Sequence, residues 1–287
     1  MKEPRVIYKV RRNLARKSQL LVELVACKRE LRRHPDRYDN LKAFCLFIGY
    51  PRSGSSLIGS LIDAHPQATI AHEANAPKLI RYHFKAEEMY EYLYRASADF
   101  TSGGRKYTGY SYAVPNQYQG TSKGKLEVIG DKFTDFAIEE LTRNREIPDR
   151  IREVTGLPLR FIHPVRSPYD SITTMVLKGK GQSLQTCMED FFALADGVLA
   201  LKSREGNDAV FDHDHEAFVL ETQSRLRAVC EFLRLEPLED YIRDASSIVM
   251  ARPHRTRVRI DWPDSLIKEV RQRSWDYPFF TGKCDQF

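Results

Sequence analysis

CLFIGYPRSGSSLIGSLIDAHPQATIAHEAN, from Cys45 to Asn75, is the stretch that decides the fold of this 287-residue chain. It begins with an apolar run typical of a buried strand and continues through a loop of small residues into an apolar helix. A second short strand ends at His72 and Glu73. A loop between a strand and a helix N-terminus binds anions, because free backbone N–H groups and the helix dipole converge there. The stretch therefore predicts an anion site inside an α/β fold.

Further strands alternate with helical patterns along the rest of the chain. Short apolar runs at Leu126–Gly130, Leu159–His163 and Val210–Asp212 are each followed by residues with helical periodicity. This alternation favours a P-loop-NTPase-like parallel sheet flanked by helices on both faces. We predict a basic helical N-terminal arm over residues 1–40 and a single α/β domain over residues 41–287.

The net charge of +6 belongs to the arm. Residues 1–40 carry a balance of +7, which leaves the body near neutral and argues against a nucleic-acid partner. Two interpretations of the arm stay open: a basic amphipathic helix for a membrane surface or self-association, and a helix that packs on the body by one apolar stripe. That stripe consists of Ile7, Val10, Leu14, Leu21, Leu24, Val25 and Leu31.

Cysteine usage and hydropathy indicate the compartment. The five cysteines are widely spread, so neither a disulfide framework nor a zinc site is predicted. No apolar run is long enough to cross a bilayer, and no signal-peptide pattern is present. We therefore predict a cytoplasmic protein.

The central loop departs from a nucleotide triphosphatase at one position. Gly49 to Ser56 keeps the spacing G-x-x-x-x-G-K-[ST], but Ser55 stands where the lysine belongs. The only cation in the loop is Arg52. The loop can still hold a diphosphate-like group, with a different placement of charge.

Two motifs together resemble a known family. PRSGSS followed by LIGSLIDAHP resembles the 5′-phosphosulfate loop of sulfotransferases that use 3′-phosphoadenosine 5′-phosphosulfate (PAPS). Arg166, which follows a buried strand, and Thr174, eight residues later, resemble the family's 3′-phosphate motif. Ser171 and Thr173 remain near alternatives to Thr174. The resemblance extends over about residues 43–280.

The resemblance implies a set of cofactor-binding residues. It also includes the segment Gly130-Asp131-Lys132, the HEAF segment before a helix, and a basic loop before Trp262. Leu57 replaces the tryptophan that stacks on adenine in cytosolic members, so the adenine contact must come from elsewhere. The implied cofactor-binding residues are Arg52, Ser53, Gly54, Ser55, Ser56, Arg166, Thr174, Arg255 and Arg257.

An acceptor hydroxyl is a poor nucleophile and needs a base. Glu73 is our choice, because the catalytic Glu of the tyrosylprotein-sulfotransferase branch lies at the same offset after a D-A-H-P turn. His72 is the competitor, since its ordinary pKa suits neutral pH. Lys132 is predicted to clamp the transferring sulfonate, and its alternative is a surface lysine at a strand end.

Two other features leave alternatives open. Tyr107, Tyr110, Tyr112 and Tyr118 lie in a glycine-rich loop and either line a substrate pocket or cover a sheet edge. The cluster from His213 to Glu216 has too few residues on one side of a strand to hold a metal. We predict no metal requirement.

The sequence as a whole favours PAPS-dependent sulfuryl transfer to a small molecule, glycolipid or saccharide, with adenosine 3′,5′-bisphosphate (PAP) as the product. Two alternatives remain. A P-loop kinase or nucleotide hydrolase would use Asp131 at a strand end to bind magnesium. A nucleotide-binding protein without turnover would retain only the loop.

Overall fold

The computed structural model describes residues 20, 22–179, 181–285 and 287. Its strands are β1 (Ala43–Phe47), β2 (Ala68–His72), β3 (Lys106–Tyr107), β4 (Tyr110–Ser111), β5 (Val128–Lys132), β6 (Leu159–Val165) and β7 (Val210–Asp214). β3 and β4 form an antiparallel hairpin. The other five form one parallel sheet in the order β2-β5-β1-β6-β7. The predicted parallel sheet is confirmed.

Helices cover both faces of this sheet because each strand buries both of its sides. In β1, Phe44 and Leu46 face one core, whereas Cys45 and Phe47 face the other. Such double burial explains the continuous apolar run of the first strand. The helices are α1 (22–33), α2 (Ser55–Asp63), α3 (Ala76–Arg81), α4 (Ala86–Ser102), α5 (Thr134–Arg143), α6 (Ile147–Thr155), α7 (Pro168–Lys178), α8 (Leu184–Glu205), α9 (His215–Leu220), α10 (Thr222–Leu233), α11 (Glu239–Ser246) and α12 (Asp264–Ser274).

Two stretches with helical spacing in the sequence, residues 77–96 and 134–152, are each divided between two helices in the structure. The first divides into α3 and α4, and His83 between them has a left-handed backbone with φ of 58°. The second divides into α5 and α6, where Pro148 lies in the first turn of the new helix. Proline fits a first turn because its missing N–H would have no partner there. Both divisions lie away from the sheet edge that carries the site.

The described part of the N-terminal arm packs on the body. Leu24 and Leu31 of α1 lie against the core, whereas Val25 is 69% exposed. Beyond the helix, Tyr38 is buried and its hydroxyl donates to Oε2 of Glu91 at 2.7 Å. The remaining residues of the predicted stripe, Ile7, Val10, Leu14 and Leu21, lie outside the described residues.

The cysteines and the hydropathy of the helices bear on the predicted compartment. All five cysteines are buried and none forms a disulfide bond. In the described ranges, no helix combines the length and the apolar character needed to span a membrane.

A buried ion pair connects α2 to the hairpin beside the site. Nη1 of Arg105 donates to Oδ2 of Asp63 at 2.7 Å, and both side chains are almost completely buried. Ser97 and the backbone N–H of Ile70 donate to the same carboxylate. Because Arg105 immediately precedes β3, this pair anchors the hairpin that carries Tyr107.

Breaking this pair is expected to cost much stability. Arg105→Met should lower the free energy of unfolding by about 3–5 kcal/mol, because it leaves the Asp63 carboxylate buried without its cation. Urea denaturation measures the change. The control is Arg143→Met, which breaks an exposed pair with Glu139 and should have almost no effect. Equal effects of the two substitutions would contradict this role of the pair.

Candidate active site

The carboxyl ends of the five parallel strands converge on one cavity of about 570 Å³. Glu73 follows β2, Lys132 ends β5, and Arg52 lies in the loop after β1. On the other side, Arg166 follows β6 and His215 follows β7. All five residues line the cavity. Ligands of open parallel sheets bind at this edge, so the fold brings together residues that are far apart in the chain.

The loop between β1 and α2 (residues 48–54) is shaped to hold an anion. Arg52 and Gly54 have left-handed backbones, with φ of 66° and 92°, on either side of Ser53. Alternating backbone handedness turns successive N–H groups toward one point, and the N-terminus of α2 adds its own free N–H groups. A left-handed backbone is rare for arginine, and such strain is concentrated at functional sites.

The serines of this loop have different orientations. The hydroxyl of Ser53 is buried and donates to the carbonyl of Tyr50 at 3.0 Å, so it supports the loop from within. Gly54, Ser55 and Ser56 line the cavity. The side chain of Ser53 thus differs from the sequence expectation of a cofactor contact, and its part in such a contact is limited to the backbone.

Glu73 is held by two donors at the floor of the cavity. Oε1 accepts from Nζ of Lys132 at 2.8 Å and from the hydroxyl of Tyr107 at 2.9 Å. Its backbone is left-handed, with φ of 62°, and its N–H donates to the carbonyl of Lys132 at 3.0 Å. Burial favours a higher pKa for Glu73, but the Lys132 ammonium and these hydrogen bonds outweigh it and lower the pKa below its ordinary value.

Lys132 is buried, unlike the surface lysine of the alternative interpretation. Its side chain is 3% exposed, and its ammonium lies 5.3 Å from the centre of the Tyr107 ring. Gly59 of α2 makes room for it, since a β-carbon there would lie 3.0 Å from Cγ of Lys132. Burial lowers the pKa of Lys132, and Glu73 opposes that shift. Buried Lys132 and half-buried Glu73 therefore form an ion pair that lines the same cavity as the anion loop.

His72 lies beneath Glu73, outside the residues that line the cavity. Its ring stacks on Phe100 at 4.1 Å and contacts the edge of Tyr107. Burial, followed by the charge of Lys132, lowers the pKa of His72 to about 3. Among the described residues its Nε2 has no hydrogen-bond partner. Of the two residues, Glu73 lines the cavity and His72 does not.

Arg166 bridges the anion loop to the segment that precedes a short 3₁₀ helix (Thr256–Arg259). Nη1 donates to the carbonyl of Arg52 at 3.0 Å, and Nη2 donates to the carbonyl of His254 at 2.7 Å. Burial lowers the pKa of Arg166, and Asp170 opposes the shift. The buried guanidinium of Arg166 therefore connects the anion loop to the segment that contains His254.

The structure distinguishes the three hydroxyl residues of α7. Thr174 lines the cavity, donates to the carbonyl of Asp170 at 2.7 Å, and lies 3.1 Å from Oγ1 of Thr256. Ser171 and Thr173 are fully buried, and Thr173 accepts from the Trp262 indole at 3.0 Å. Of the three, the one facing the cavity is Thr174.

Arg255 and Arg257 lie outside this cavity and line a separate depression. Nη2 of Arg257 is 2.6 Å from Oδ2 of Asp170, and its backbone N–H donates to Oδ1 at 2.8 Å. From the same segment, Thr256 and Arg259 line the main cavity instead. The basic segment is present as expected, but Thr256 and Arg259 line the main cavity in place of Arg255 and Arg257.

Sequence reasoning missed several lining residues that carry no motif, among them Val219, Ile248, Met250, Phe133 and Phe136. For Tyr107, Tyr110 and Tyr112 it gave a position in a pocket as one of two alternatives, and all three line the cavity. Around Leu57 the wall is apolar, formed by Val219, Ile248 and Met250. On the opposite side, near Glu73, the wall is aromatic. It contains Phe133 and Phe136 after β5, together with Tyr107, Tyr110 and Tyr112 of the hairpin. Tyr118 lies outside the cavity lining.

The carboxylates of the discounted metal cluster, and Asp131 of the kinase alternative, accept hydrogen bonds from protein groups. Asp131 accepts from the backbone N–H groups of Ala74 at 3.0 Å and Ala76 at 2.9 Å, and burial raises its pKa to about 6. Asp214 accepts from the N–H of Ala217, and Glu216 accepts from the N–H of Ser167. The carboxylate of Asp131 therefore stabilises the turn after β2 and lies outside the cavity lining.

Comparisons with known proteins agree with this geometry. A sequence model of the sulfotransferase family matches residues 46–240. A sulfotransferase from Mycobacterium avium is 10% identical, with 87% of this chain and 80% of that chain covered and a TM-score of 0.51. A mouse sulfotransferase complexed with PAP is 12% identical, with 86% and 89% covered and a TM-score of 0.48. No curated protein matches the sequence. At such identities, structural likeness concerns the fold.

Proposed function

Because this chain belongs to the sulfotransferase family, we propose that it transfers a sulfuryl group from PAPS to a hydroxyl or amine of an acceptor, with Glu73 as the general base. One observation carries the proposal. The anion loop after β1, the Arg166–Thr174 pair and the Glu73–Lys132 pair line a single cavity. The residues that would bind the nucleotide and the proposed base therefore line the same cavity.

The residues on the β6 and β7 side fit a nucleotide with two phosphate groups. The loop N–H groups and Arg52 would hold the 5′-phosphate, as a helix N-terminus holds other phosphates. Arg166 and Thr174 would hold the 3′-phosphate. The apolar wall at Leu57, Val219, Ile248 and Met250 would receive the adenine. PAPS would supply the activated sulfuryl group.

The residues on the β2 and β5 side fit an acceptor. The aromatic wall formed by the hairpin and the start of α5 lines the same cavity as Glu73, and the Tyr107 hydroxyl donates to Glu73. Aromatic side chains bury apolar surface, and Tyr also offers a polar tip. This wall supports an acceptor among small molecules, glycolipids and saccharides that carries an apolar or flat ring face beside its hydroxyl.

The reaction needs one proton acceptor and stabilisation of the leaving phosphate. The acceptor oxygen forms a bond to sulfur, the bond from sulfur to the 5′-phosphate oxygen breaks, and its electron pair stays on that phosphate. The acceptor proton moves to the Glu73 carboxylate. Positive charge on Arg52 and Lys132, with the loop N–H groups, would stabilise the charge on the departing PAP. A sulfonate that attracts the Lys132 ammonium would also weaken the ion pair between Lys132 and Glu73. The Glu73 carboxylate would then be a stronger base.

The two alternative functions fit the cavity less well. A kinase or nucleotide hydrolase lacks its loop lysine at Ser55, and the carboxylate of Asp131 already accepts two backbone N–H groups. A nucleotide-binding protein without turnover would have no use for a carboxylate paired with a buried lysine beside the anion loop. Neither alternative explains the position of Glu73.

The pH profile should respond to Lys132. In the wild type the pKa of Glu73 is lowered, so the carboxylate stays ionised and active until the pH falls through that lowered pKa. In Lys132→Met, the ammonium and its hydrogen bond are lost while the burial remains, so the pKa of Glu73 rises from its wild-type value. The acid limb of kcat should therefore move to higher pH by roughly one unit or more. An unmoved limb, in a variant that still turns over, would contradict the pairing.

An acceptor panel tests the proposed function. Purified protein is incubated with PAPS and phenols, glycolipids or saccharides, and both PAP release and a sulfated acceptor are quantified. PAP release that depends on an acceptor, with one sulfated product for each PAP, is the expected result. PAP binding without faster PAPS consumption across the panel would instead favour the protein without turnover.

A further inference from the structure

His215 is a buried imidazole in contact with the anion loop. It is the first residue of α9, directly after β7, and is 7% exposed. A β-carbon built on Gly54 would lie 2.4 Å from Nδ1 of His215 and 2.7 Å from its Cε1. Gly54 is the N-cap of α2, so the imidazole lies against the point where the helix dipole and the loop N–H groups meet.

The imidazole has a polar atom without a partner. Within the described residues, Nδ1 of His215 makes no hydrogen bond and is shielded from water. Buried polar atoms are nearly always hydrogen-bonded, and an orphaned one requires an explanation. Because His215 also lines the main cavity, an anion held by the loop would lie beside this imidazole.

The surroundings keep His215 neutral when no anion is present. Burial, followed by the charge of Arg166, lowers the pKa of His215 to about 4. The nearby carboxylates are already engaged, since Glu216 accepts from Lys283 at 2.7 Å and Asp214 also pairs with Lys283. The charged and titratable groups around the imidazole are Arg166, Lys283, Asp214, Glu216 and His213.

We propose that His215 is a further phosphate-binding residue of the nucleotide site, and that it takes up a proton from solvent when the nucleotide binds. The proposal rests on the proposed function, because it assumes an anionic phosphate in the loop. A phosphate beside Gly54 places negative charge next to the imidazole and provides an acceptor for an N–H donor. Both effects favour the charged imidazolium, which forms the stronger, charge-assisted hydrogen bond.

The sign of the pH dependence follows from this linkage. Bound phosphate raises the pKa of His215, so PAP binds more tightly when protons are available and more weakly as the pH rises through the raised value. Between about pH 6 and 8, the affinity of the wild type should therefore fall more steeply than that of His215→Gln. At about pH 6, His215→Gln should bind PAP roughly tenfold more weakly than the wild type.

Calorimetry of PAP binding tests the proposal. Titrations at one pH in buffers of different ionisation enthalpy give the number of protons taken up. The phosphates of PAP ionise near pH 6 and exchange protons themselves, so the difference between wild type and variant is the relevant quantity. His213→Gln is the matched control, because His213 is equally buried two residues earlier and lies outside the cavity lining.

The outcomes separate this inference from the proposed function. Proton uptake that is greater in the wild type than in His215→Gln, by up to about one proton, and unchanged in His213→Gln supports it. Equal uptake in all three proteins overturns it, while PAP binding itself would remain. No PAP binding by the wild type would overturn the proposed function. If a variant does not fold, the imidazole ¹⁵N shifts of wild-type His215 with and without PAP decide the protonation state directly.

Discussion

Glu73→Gln is expected to lower kcat by about 10²- to 10⁴-fold with little change in PAP affinity. The substitution keeps the shape of the side chain and removes the group that accepts the acceptor proton. In the proposed arrangement PAP lies on the side of the cavity over β6 and β7, whereas Glu73 follows β2 at the other edge of the sheet. Steady-state kinetics with saturating PAPS and calorimetry with PAP measure the two quantities separately.

His72→Gln is the matched control for this prediction. His72 is adjacent in sequence, and its Nε2 lies 3.9 Å from Oε1 of Glu73, but its ring is stacked against Phe100 beneath the cavity. Its effect on kcat should be much smaller than that of Glu73→Gln, although some loss of packing is expected. A larger loss of kcat in His72→Gln, or undiminished kcat in Glu73→Gln, would remove Glu73 from the role of base.

Arg166→Ala is expected to raise the KM for PAPS by about 100-fold. Two effects combine: a buried positive charge is lost from the cavity wall, and the carbonyls of Arg52 and His254 lose their charge-assisted donor. Both effects weaken nucleotide binding and neither concerns the base, so kcat at saturating PAPS should change less than KM. Arg166→Lys should recover only part of the affinity, because lysine cannot form the planar pair of bonds.

Arg255→Ala provides the control for charge. Arg255 is exposed, lies in the same chain segment as His254, and lines the separate depression outside the main cavity. Removing it should change the KM for PAPS only slightly, since exposed charges are screened by solvent and salt. A larger rise in KM for Arg255→Ala than for Arg166→Ala would place the nucleotide in the depression.

Sequence reasoning located the sheet and the residues at its strand ends. The double-sided burial of β1 and the loop before α2 depend on local patterns, which the sequence displays directly. Glu73, Lys132 and Arg166 were identified by resemblance to family motifs, and they meet in the structure because parallel strands bring their carboxyl ends to one edge.

The remaining features depend on packing that no local pattern contains. Ser171, Thr173 and Thr174 are successive or nearly successive helical positions, and the face turned to the cavity follows from how α7 sits on the sheet. The basic segment around Arg257 has no periodic sequence pattern. The sequence therefore did not predict that Arg257 pairs with Asp170. His215 belongs to an apparent metal cluster, and its contact with Gly54 comes from the adjacency of β6 and β7 beyond β1.

Thermal stabilisation by nucleotides tests the central claim most directly. The purified chain is heated with PAP, with ATP and magnesium, or with neither, at matched concentrations. At a given concentration, a ligand that binds the folded state raises Tm by more when it binds more tightly. We predict a clear rise in Tm with PAP and a much smaller one with ATP and magnesium. A larger rise with ATP and magnesium, or no rise with PAP, would contradict a PAPS site in this cavity.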